Sequence, residues 1–201
     1  MTTTEAVRTR IEAIPAGTPF AIQELLPCGS RAAVDQVLSR LVKAGALRRV
    51  TRGIYVRSQV HPLLGEKVPE VEAILRLKTG GELLISGAMA QHRFGLTEQM
   101  PVRPTYYTPG PSRTVRINRL ACQLIHRSSG WFALGTGPAG EAVVALRSLG
   151  QSRVSLAVLD QIRTALAPEE YEKLLTQHWQ LPGWLSSILG QAEQVRRNHA
   201  E

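Results

Sequence analysis

Seven side chains able to contact nucleic acid lie close together between residues 36 and 52. Glutamine and arginine can make paired hydrogen bonds to adenine and guanine edges, respectively, and guanidinium forks suit phosphate oxygens and narrow minor grooves. The chemistry open to this set is therefore the reading of base edges together with the binding of phosphate groups. The set comprises one amide, one hydroxyl and five cations: Gln36, Ser39, Arg40, Lys43, Arg48, Arg49 and Arg52.

A helix has to position the first half of this set. Ser30 stands where an N-cap belongs, and Gly45 stands where a left-handed residue ends a helix. Arg31 and Asp35 lie one turn apart, so a mutual ion pair is as good an expectation for Arg31 as a base contact. One apolar stripe at the helical period predicts a core-facing side: Val34, Val37, Leu38, Leu41 and Val42. The opposite face carries short or polar groups able to approach a groove: Ala32, Gln36, Ser39, Arg40 and Lys43.

A hairpin has to position the remaining cations. After Gly45 the pattern changes from helical to extended, and Leu47–Thr51 and Ile54–Arg57 are both rich in β-forming residues. The turn at Arg52-Gly53 between these runs predicts a hairpin. Four arginines lie on or beside this hairpin and give a short element a high density of positive charge: Arg48, Arg49, Arg52 and Arg57.

The helix and the hairpin are expected to divide the work. Gln36, Ser39 and Arg40 are expected to read base edges in the major groove. Arg31 is expected to contact either bases or phosphates, and Ser30 joins the DNA-binding set at the start of the helix. The group expected to hold phosphates or the adjacent minor groove comprises Lys43, Arg48, Arg49 and Arg52.

The residues upstream complete a recognisable module. Thr4–Ile14 predicts a first helix, Phe20–Leu26 predicts a short second helix, and Pro27-Cys28-Gly29 predicts the turn into the third. Three helices and a hairpin within roughly sixty residues match the size of one winged helix-turn-helix unit. Residues 1–60 are therefore expected to form a winged helix-turn-helix domain that binds DNA. The plainer alternative is a helical bundle with a solvated basic face.

Composition favours an anionic partner. The 201 residues carry a net charge of +8, and residues 1–61 hold nine Lys or Arg against four acids. Double-stranded DNA is the expected partner. The two cysteines form no disulfide framework or metal knuckle, and the five histidines lack metal-ligand spacing, so neither a metal nor a disulfide is expected. With no apolar signal core or membrane-length run, we expect a soluble, cytoplasmic protein and no membrane partner.

Residues 61–201 are expected to form an α+β domain with a small, mainly antiparallel sheet followed by several helices. Ser58–Pro69 reads as the linker, and Glu70–Lys78 as a helix. The predicted strands are Glu82–Ile85, Pro104–Thr108, Thr114–Asn118 and Leu120–His126, the last two forming a hairpin. From Gly140 onward the pattern is helical. A second basic cluster favours a solvated sheet face over another nucleic-acid contact or an acidic protein partner: Arg113, Arg116, Arg119 and Arg127.

One motif suggests enzyme chemistry without the context that it needs. Gly135, Gly137 and Gly140 fit the dinucleotide-binding pattern, follow the strand-like run Trp131–Leu134 and have Asp160 twenty residues beyond the last of them. Asp160, however, lies in a helical pattern, and Pro138 more simply opens a helix. Because no hydrolase elbow, Walker loop or paired-carboxylate motif occurs, we expect no catalytic residues, no cofactor and no enzymatic activity.

Two strings of the sequence resemble the AbiEi-type antitoxins of type IV toxin–antitoxin systems. SRAAVDQVLSRLVKAGALRRVTRGIYVR, residues 30–57, is similar to their N-terminal winged-helix module. ISGAMAQHRFGLTEQMPVRPTYYTPGPSRTVRI, residues 85–117, is similar to the start of their C-terminal domain. In the second string His92-Arg93-Phe94 stands in place of a smaller, more apolar stretch, and the C-terminal quarter of the chain carries no such similarity.

The resemblance implies a bacterial antitoxin with two separable tasks. Its winged helix would bind inverted repeats in the promoter and repress transcription of its own operon. Its C-terminal domain would counteract a nucleotidyltransferase-type toxin, for which a stable complex is not required. A stand-alone winged-helix regulator without a toxin, a protein-interaction module and a nucleotide-dependent enzyme built on Gly135–Gly140 remain as alternatives.

Overall fold

The computed structural model describes residues 2–58, 60, 61, 65, 66 and 69–198. Contacts divide the chain into two units: Met1–Gly81 with Arg116–Leu120, and Glu82–Val115 with Ala121–Glu201. The protein is α+β, as the sequence predicts, with helices and small antiparallel and mixed sheets. The predicted domain boundary at residue 60 stays a prediction, since half of the expected linker Ser58–Pro69 lies outside the described residues.

The first unit combines helices with a three-stranded sheet of order β1-β3-β2, both pairs antiparallel. The Thr2 hydroxyl and the Glu5 carboxylate form a reciprocal capping box at the start of the first helix. A 3-10 segment, Ile22–Cys28, precedes the second helix. The elements are α1 (Thr3–Glu12), β1 (Pro19–Ala21), α2 (Arg31–Lys43), β2 (Leu47–Thr51), β3 (Ile54–Arg57), β4 (Val60–His61), β5 (Gly65–Glu66) and α3 (Val71–Thr79).

The predicted helix Phe20–Leu26 is wrong at its beginning, because Phe20 and Ala21 belong to strand β1. The Phe20 ring stacks on Tyr55 of the neighbouring strand β3, with ring centroids 6.2 Å apart. The Glu24 carboxylate accepts a hydrogen bond from the Ala21 backbone N–H at 2.7 Å, so the helical turn can start only after Ala21. Packing against Tyr55 therefore decides the conformation of a segment whose local pattern is helical.

The apolar stripe of α2 lies against the core of the first unit, as predicted. Val34, Val37 and Leu38 are buried, and Leu41 and Val42 pack against the same core while remaining partly exposed. The other core residues come from α1, β1, the 3-10 segment and the hairpin: Val7, Ile11, Phe20, Ile22, Leu25, Leu47 and Tyr55. Burial of this face leaves the opposite face of α2 for solvent.

The second unit contains most of a sheet of order β6-β7-β9-β8 and a set of helices. Its buried helix α5 has a continuous run of buried residues from Ala139 to Leu146, which is typical of a helix surrounded by other elements. Among the described residues, no helix is both long and apolar enough to cross a membrane. The elements are β6 (Leu84–Ile85), α4 (Gly87–Arg93), β7 (Thr105–Thr108), β8 (Arg113–Ile117), β9 (Leu120–His126), α5 (Pro138–Leu149), α6 (Leu156–Ala165), α7 (Pro168–Thr176) and α8 (Gly183–Asn198).

One prediction about this unit is refined by the structure and another is wrong. The sheet contains antiparallel pairing, as predicted for a mainly antiparallel sheet, but it is mixed, because β7 pairs in parallel with β9 from Thr105↔Gln123 to Thr108↔His126. The chain runs from β7 to the outer strand β8 and returns as β9 in between, so β7 and β8 are consecutive in the chain but are not adjacent in the sheet. The run Trp131–Leu134, which has a strand-like sequence, is not a strand; a 3-10 turn, Ser129–Trp131, ends at its first residue.

Candidate nucleic-acid interface

Helix α2 is defined at both ends by the residues that the sequence predicts. The Ser30 hydroxyl accepts a hydrogen bond from the Ala33 N–H at 3.3 Å, so Ser30 acts as the N-cap. Ala44 caps the other end, and the next residue, Gly45, has the left-handed φ of 73°. The two caps therefore set the length of α2, and with it the length of the polar face that the helix exposes.

The exposed face of α2 is the one expected to meet a ligand. The side chains on this face are exposed, in contrast to the buried stripe on the other side: Ala32, Gln36, Ser39, Arg40 and Lys43. The short side chains of Ala32 and Ser39 add little bulk to this face, whereas Gln36, Arg40 and Lys43 are long enough to reach a ligand. Such a face can approach the edges of base pairs without steric conflict from branched apolar groups.

A concave surface joins α2 to the hairpin β2–β3. This depression, which we call the basic depression, has a volume of about 470 Å³ and is open to solvent. Four cations and one carboxylate are among its lining residues, so its charge is positive. The residues lining it are Arg31, Asp35, Ser39, Val42, Lys43, Arg49, Arg52, Gly53 and Tyr55.

Arg31 forms the mutual pair that the sequence left as an alternative to a base contact. Its Nε donates a hydrogen bond to the Asp35 carboxylate at 3.0 Å, and both side chains are about half exposed. An exposed pair of this kind is worth only a fraction of 1 kcal/mol, roughly, so a phosphate can compete with Asp35 for the guanidinium. Asp35 thus pre-orients Arg31 at one rim of the basic depression.

The predicted DNA-binding residues are only partly brought together. Arg31, Ser39, Lys43, Arg49 and Arg52 line the basic depression, whereas Gln36 and Arg40 lie on the exposed face of α2 outside it. The Ser30 hydroxyl caps the helix, and the residue remains exposed at the helix N-terminus.

Arg48 differs from its neighbour Arg49 in exposure. Successive strand residues point to opposite faces of a sheet, and Arg48 is half-buried while Arg49 is exposed. The Nε and Nη2 atoms of Arg48 are buried, and the side chain is engaged within the protein. Of the two predicted phosphate contacts on this strand, Arg49 is therefore the better placed.

Two further residues contribute to the site in ways that the sequence did not reveal, and one arginine of the hairpin does not contribute to it. The Lys78 ammonium of α3 donates a hydrogen bond to the Arg52 carbonyl oxygen and so supports the hairpin turn. Tyr55 forms part of the wall of the basic depression. Arg57 is directed elsewhere: its Nη1 donates to the carbonyl oxygens of Glu12 and Ile14 at 2.9 and 2.8 Å. These oxygens lie at the end of α1, so Arg57 has a structural role.

The glycine-rich motif of the second unit forms a loop and the start of helix α5. Pro138 is the first residue of that helix, as predicted. Asp160 lies within α6, also as predicted, and pairs with Arg163 at 2.7 Å. In the described part of the chain, no group of three or more His, Cys, Asp or Glu residues is arranged to hold a metal ion.

The site and fold define an α+β protein with a basic depression beside an exposed polar helix face. The chain belongs to the DUF6088 family, a family of unknown function whose model matches residues 6–174. No curated protein matches the sequence. A solved structure, that of the RV2827C protein from Mycobacterium tuberculosis, is 15% identical, with a TM-score of 0.41 and coverage of 93% of this chain and 75% of that chain.

Proposed function

We propose that the protein is a sequence-specific, double-stranded-DNA-binding transcriptional repressor of the cytoplasm. In this proposal the first unit acts as a winged helix-turn-helix module, with α2 as recognition helix and β2–β3 as wing. The observation that carries the proposal is the basic depression, in which the cations of the helix and of the hairpin face one open surface. A duplex in contact with that surface would meet the exposed face of α2 and the hairpin arginines together.

The order and exposure of the elements support this assignment. A helix, a short strand, a helical turn, α2 and a hairpin follow one another, and β1 closes the sheet on the free edge of β3. Gln36 and Arg40 are exposed on the outer face of α2, where bidentate contacts to adenine and guanine are feasible. Lys43, Arg49 and Arg52 line the basic depression, where they are available to the phosphates that flank a groove.

The finer proposal is that the repressor is the autoregulating antitoxin of a type IV toxin–antitoxin system. It is supported by the similarity of residues 30–57 and 85–117 to AbiEi-type antitoxins. Promoter inverted repeats would be its DNA target, and a nucleotidyltransferase-type toxin would be its second partner, without a stable complex being required. A stand-alone regulator lacking a toxin is the alternative, and the identity of the neighbouring gene distinguishes the two.

An exposed apolar segment favours a second candidate function, protein interaction, for the second unit. Met100 is 70% exposed and Val102 is fully exposed, with Pro101 between them. Large apolar side chains that are adjacent and exposed often mark contact surfaces between proteins. If this candidate were the whole function, the protein would produce no salt-dependent shift of its own upstream DNA.

Arg40→Ala is expected to reduce the affinity for the operator and to relax sequence preference. Loss of a bidentate contact to a base costs about 1–3 kcal/mol of binding free energy. A gel-shift titration with the upstream region, repeated with single-base changes, measures both effects. The preference at one base position should disappear while the preferences elsewhere in the site persist.

Arg49→Ala is expected to weaken binding by a similar factor for every DNA sequence. Because a phosphate contact releases a counterion, its removal should decrease the slope of log affinity against log salt by about 1. The measurement is the same titration at four or more salt concentrations, with operator and unrelated DNA. A change in sequence preference would contradict the assignment of Arg49 to phosphate.

Arg10→Ala is the matched control for both variants. Arg10 is exposed on α1 and does not line the basic depression, and its replacement removes the same charge. It should leave the affinity for the operator within about twofold of the parent value, since isolated surface changes have small effects. If all three variants bound like the parent, the proposed interface would be refuted.

A further inference from the structure

Two arginines of the second unit converge on one indole ring. The Arg147 guanidinium carbon lies 3.8 Å from the centroid of Trp131, and that of Arg127 lies 5.2 Å from the same centroid. Arg127 is also 4.6 Å from the centroid of Tyr107, whose ring meets Trp131 edge to face at 5.4 Å. Both cations therefore lie on a shared aromatic base, at cation–π distances.

The backbone holds this arrangement in place. Arg127 directly follows strand β9, and its N–H donates to the Thr108 carbonyl oxygen at the end of the parallel strand β7, at 2.9 Å. Arg147 projects from the buried helix α5, and its Nη1 donates to the Gly130 carbonyl oxygen at 2.9 Å.

Neither guanidinium has a counter-ion in the described part of the chain. Burial lowers the pKa of Arg147, and the charge of Arg127 lowers it further. The Nε of Arg127 is buried and lacks a hydrogen-bond partner in the same described residues. Two other arginines of this unit are paired with carboxylates: Arg163 with Asp160 and Arg93 with Glu141.

We propose that Arg127 and Arg147 form an anion-binding site for a phosphate group, with Trp131 as its aromatic base. Two half-buried like charges repel each other, and an anion carrying two negative charges offsets that repulsion. Guanidinium groups bind phosphate oxygens through paired, charge-assisted hydrogen bonds. The phosphate can belong to a small molecule, such as a nucleotide, or to a nucleic-acid backbone; the chemistry of recognition is the same.

Trp131 allows the site to report its own occupancy. In the full-length Trp179→Phe, Trp184→Phe background, Trp131 is the remaining tryptophan, so its fluorescence should change when an anion binds Arg147 against the ring. Three probes are titrated separately: inorganic phosphate, ADP and a single-stranded ten-nucleotide oligo(dT). At least one should give a saturable change, and absence of saturation with all three would overturn the proposal.

Arg147→Gln should weaken binding of the active probe about tenfold or more, which corresponds to the loss of one charge-assisted contact. Arg153→Gln is the matched control, because Arg153 is exposed and its replacement removes the same charge from the same unit. The control should bind as the parent does. Equal binding by all three proteins, or equal loss in both variants, would overturn the site.

Arg127→Lys keeps the charge but removes the planar fork, and provides a test if Arg147→Gln fails to fold. Circular dichroism establishes folding, and binding by Arg127→Lys should be several-fold weaker than in the parent. Undiminished binding would exclude Arg127 from the site and overturn the proposal.

The three probes distinguish the sources of phosphate. Binding of phosphate or ADP without binding of oligo(dT) assigns a small-molecule ligand, whereas binding of oligo(dT) alone assigns a nucleic-acid backbone. The site is independent of the proposed operator-binding surface. Arg49→Ala should therefore leave probe binding unchanged, and a failure to bind the operator would not by itself affect the phosphate site.

Discussion

Gly140→Ala is expected to destabilise the protein by about 3 kcal/mol or more, toward the upper end of overpacking costs. A β-carbon at this position would overlap the Gly135 carbonyl oxygen and lie 3.0 Å from its carbonyl carbon. Both are backbone atoms, which cannot swing aside as a side chain can. Leu84 of strand β6 is 3.5 Å from the same β-carbon on another side. Denaturant unfolding of the full-length protein, followed by circular dichroism, measures the loss.

Gly183→Ala is the control for this variant. Gly183 is exposed and is the first residue of helix α8. A β-carbon at this position would have no neighbour within 4 Å among the described residues. Alanine is the better helix former by about 1 kcal/mol, so Gly183→Ala should be neutral or stabilising. Equal stability of the two variants would mean that Gly135 and Gly140 do not approach each other as described.

Leu38→Ala is expected to cost about 2–5 kcal/mol of unfolding free energy, the usual price of a large cavity in a core. Leu38 is fully buried on the inner face of α2 and belongs to the core of the first unit. Loss of its side chain leaves a space that α1 and the hairpin cannot fill without moving. Urea unfolding measures the change, and hydrogen exchange should locate it in the first unit.

The adjacent position provides an internal comparison, since Ser39 is exposed on the opposite face. Ser39→Ala should change stability by no more than about 0.5 kcal/mol. It removes one hydroxyl from the proposed reading face, so only operator affinity should respond. If Ser39→Ala were as destabilising as Leu38→Ala, the division of α2 into a core face and a ligand face would be wrong.

These two pairs of variants separate stability from recognition. The glycine pair tests whether the glycine-rich motif serves close packing at the start of α5. The α2 pair tests whether its exposed face is available to DNA. Loss of operator binding in Arg40→Ala or Arg49→Ala can then be attributed to lost contacts, provided that those proteins unfold at the same denaturant concentration as the parent.

Local patterns were sufficient to predict much of the fold. The apolar stripe of α2, its Ser30 cap, the Gly45 terminus and the β2–β3 hairpin follow from interactions within a few residues along the chain. The β8–β9 hairpin is equally local, because Asn118 adopts a positive φ of 53° in its turn. Short-range hydrogen bonding and helical or strand periodicity determine such features, so the sequence alone predicts them.

Other features depend on partners distant in sequence. Phe20 lies in a strand, where its ring stacks on Tyr55, and β7 pairs in parallel with β9 while β8 occupies the sheet edge. Neither choice has a signal in the local sequence. Both minimise exposed apolar surface and unpaired backbone groups in the whole unit, which is a property of the assembled structure.

The amphipathic pattern alone specifies that α2 has one apolar face and one polar face, and that cations follow it on a hairpin. Which cations share a surface depends on how the elements pack: Arg49 and Arg52 line the basic depression, while Arg57 supports the end of α1. Packing also brings Arg127 and Arg147 onto Trp131. Periodicity specifies the face of an element, but convergence of charges requires the packing of elements that are far apart in the chain.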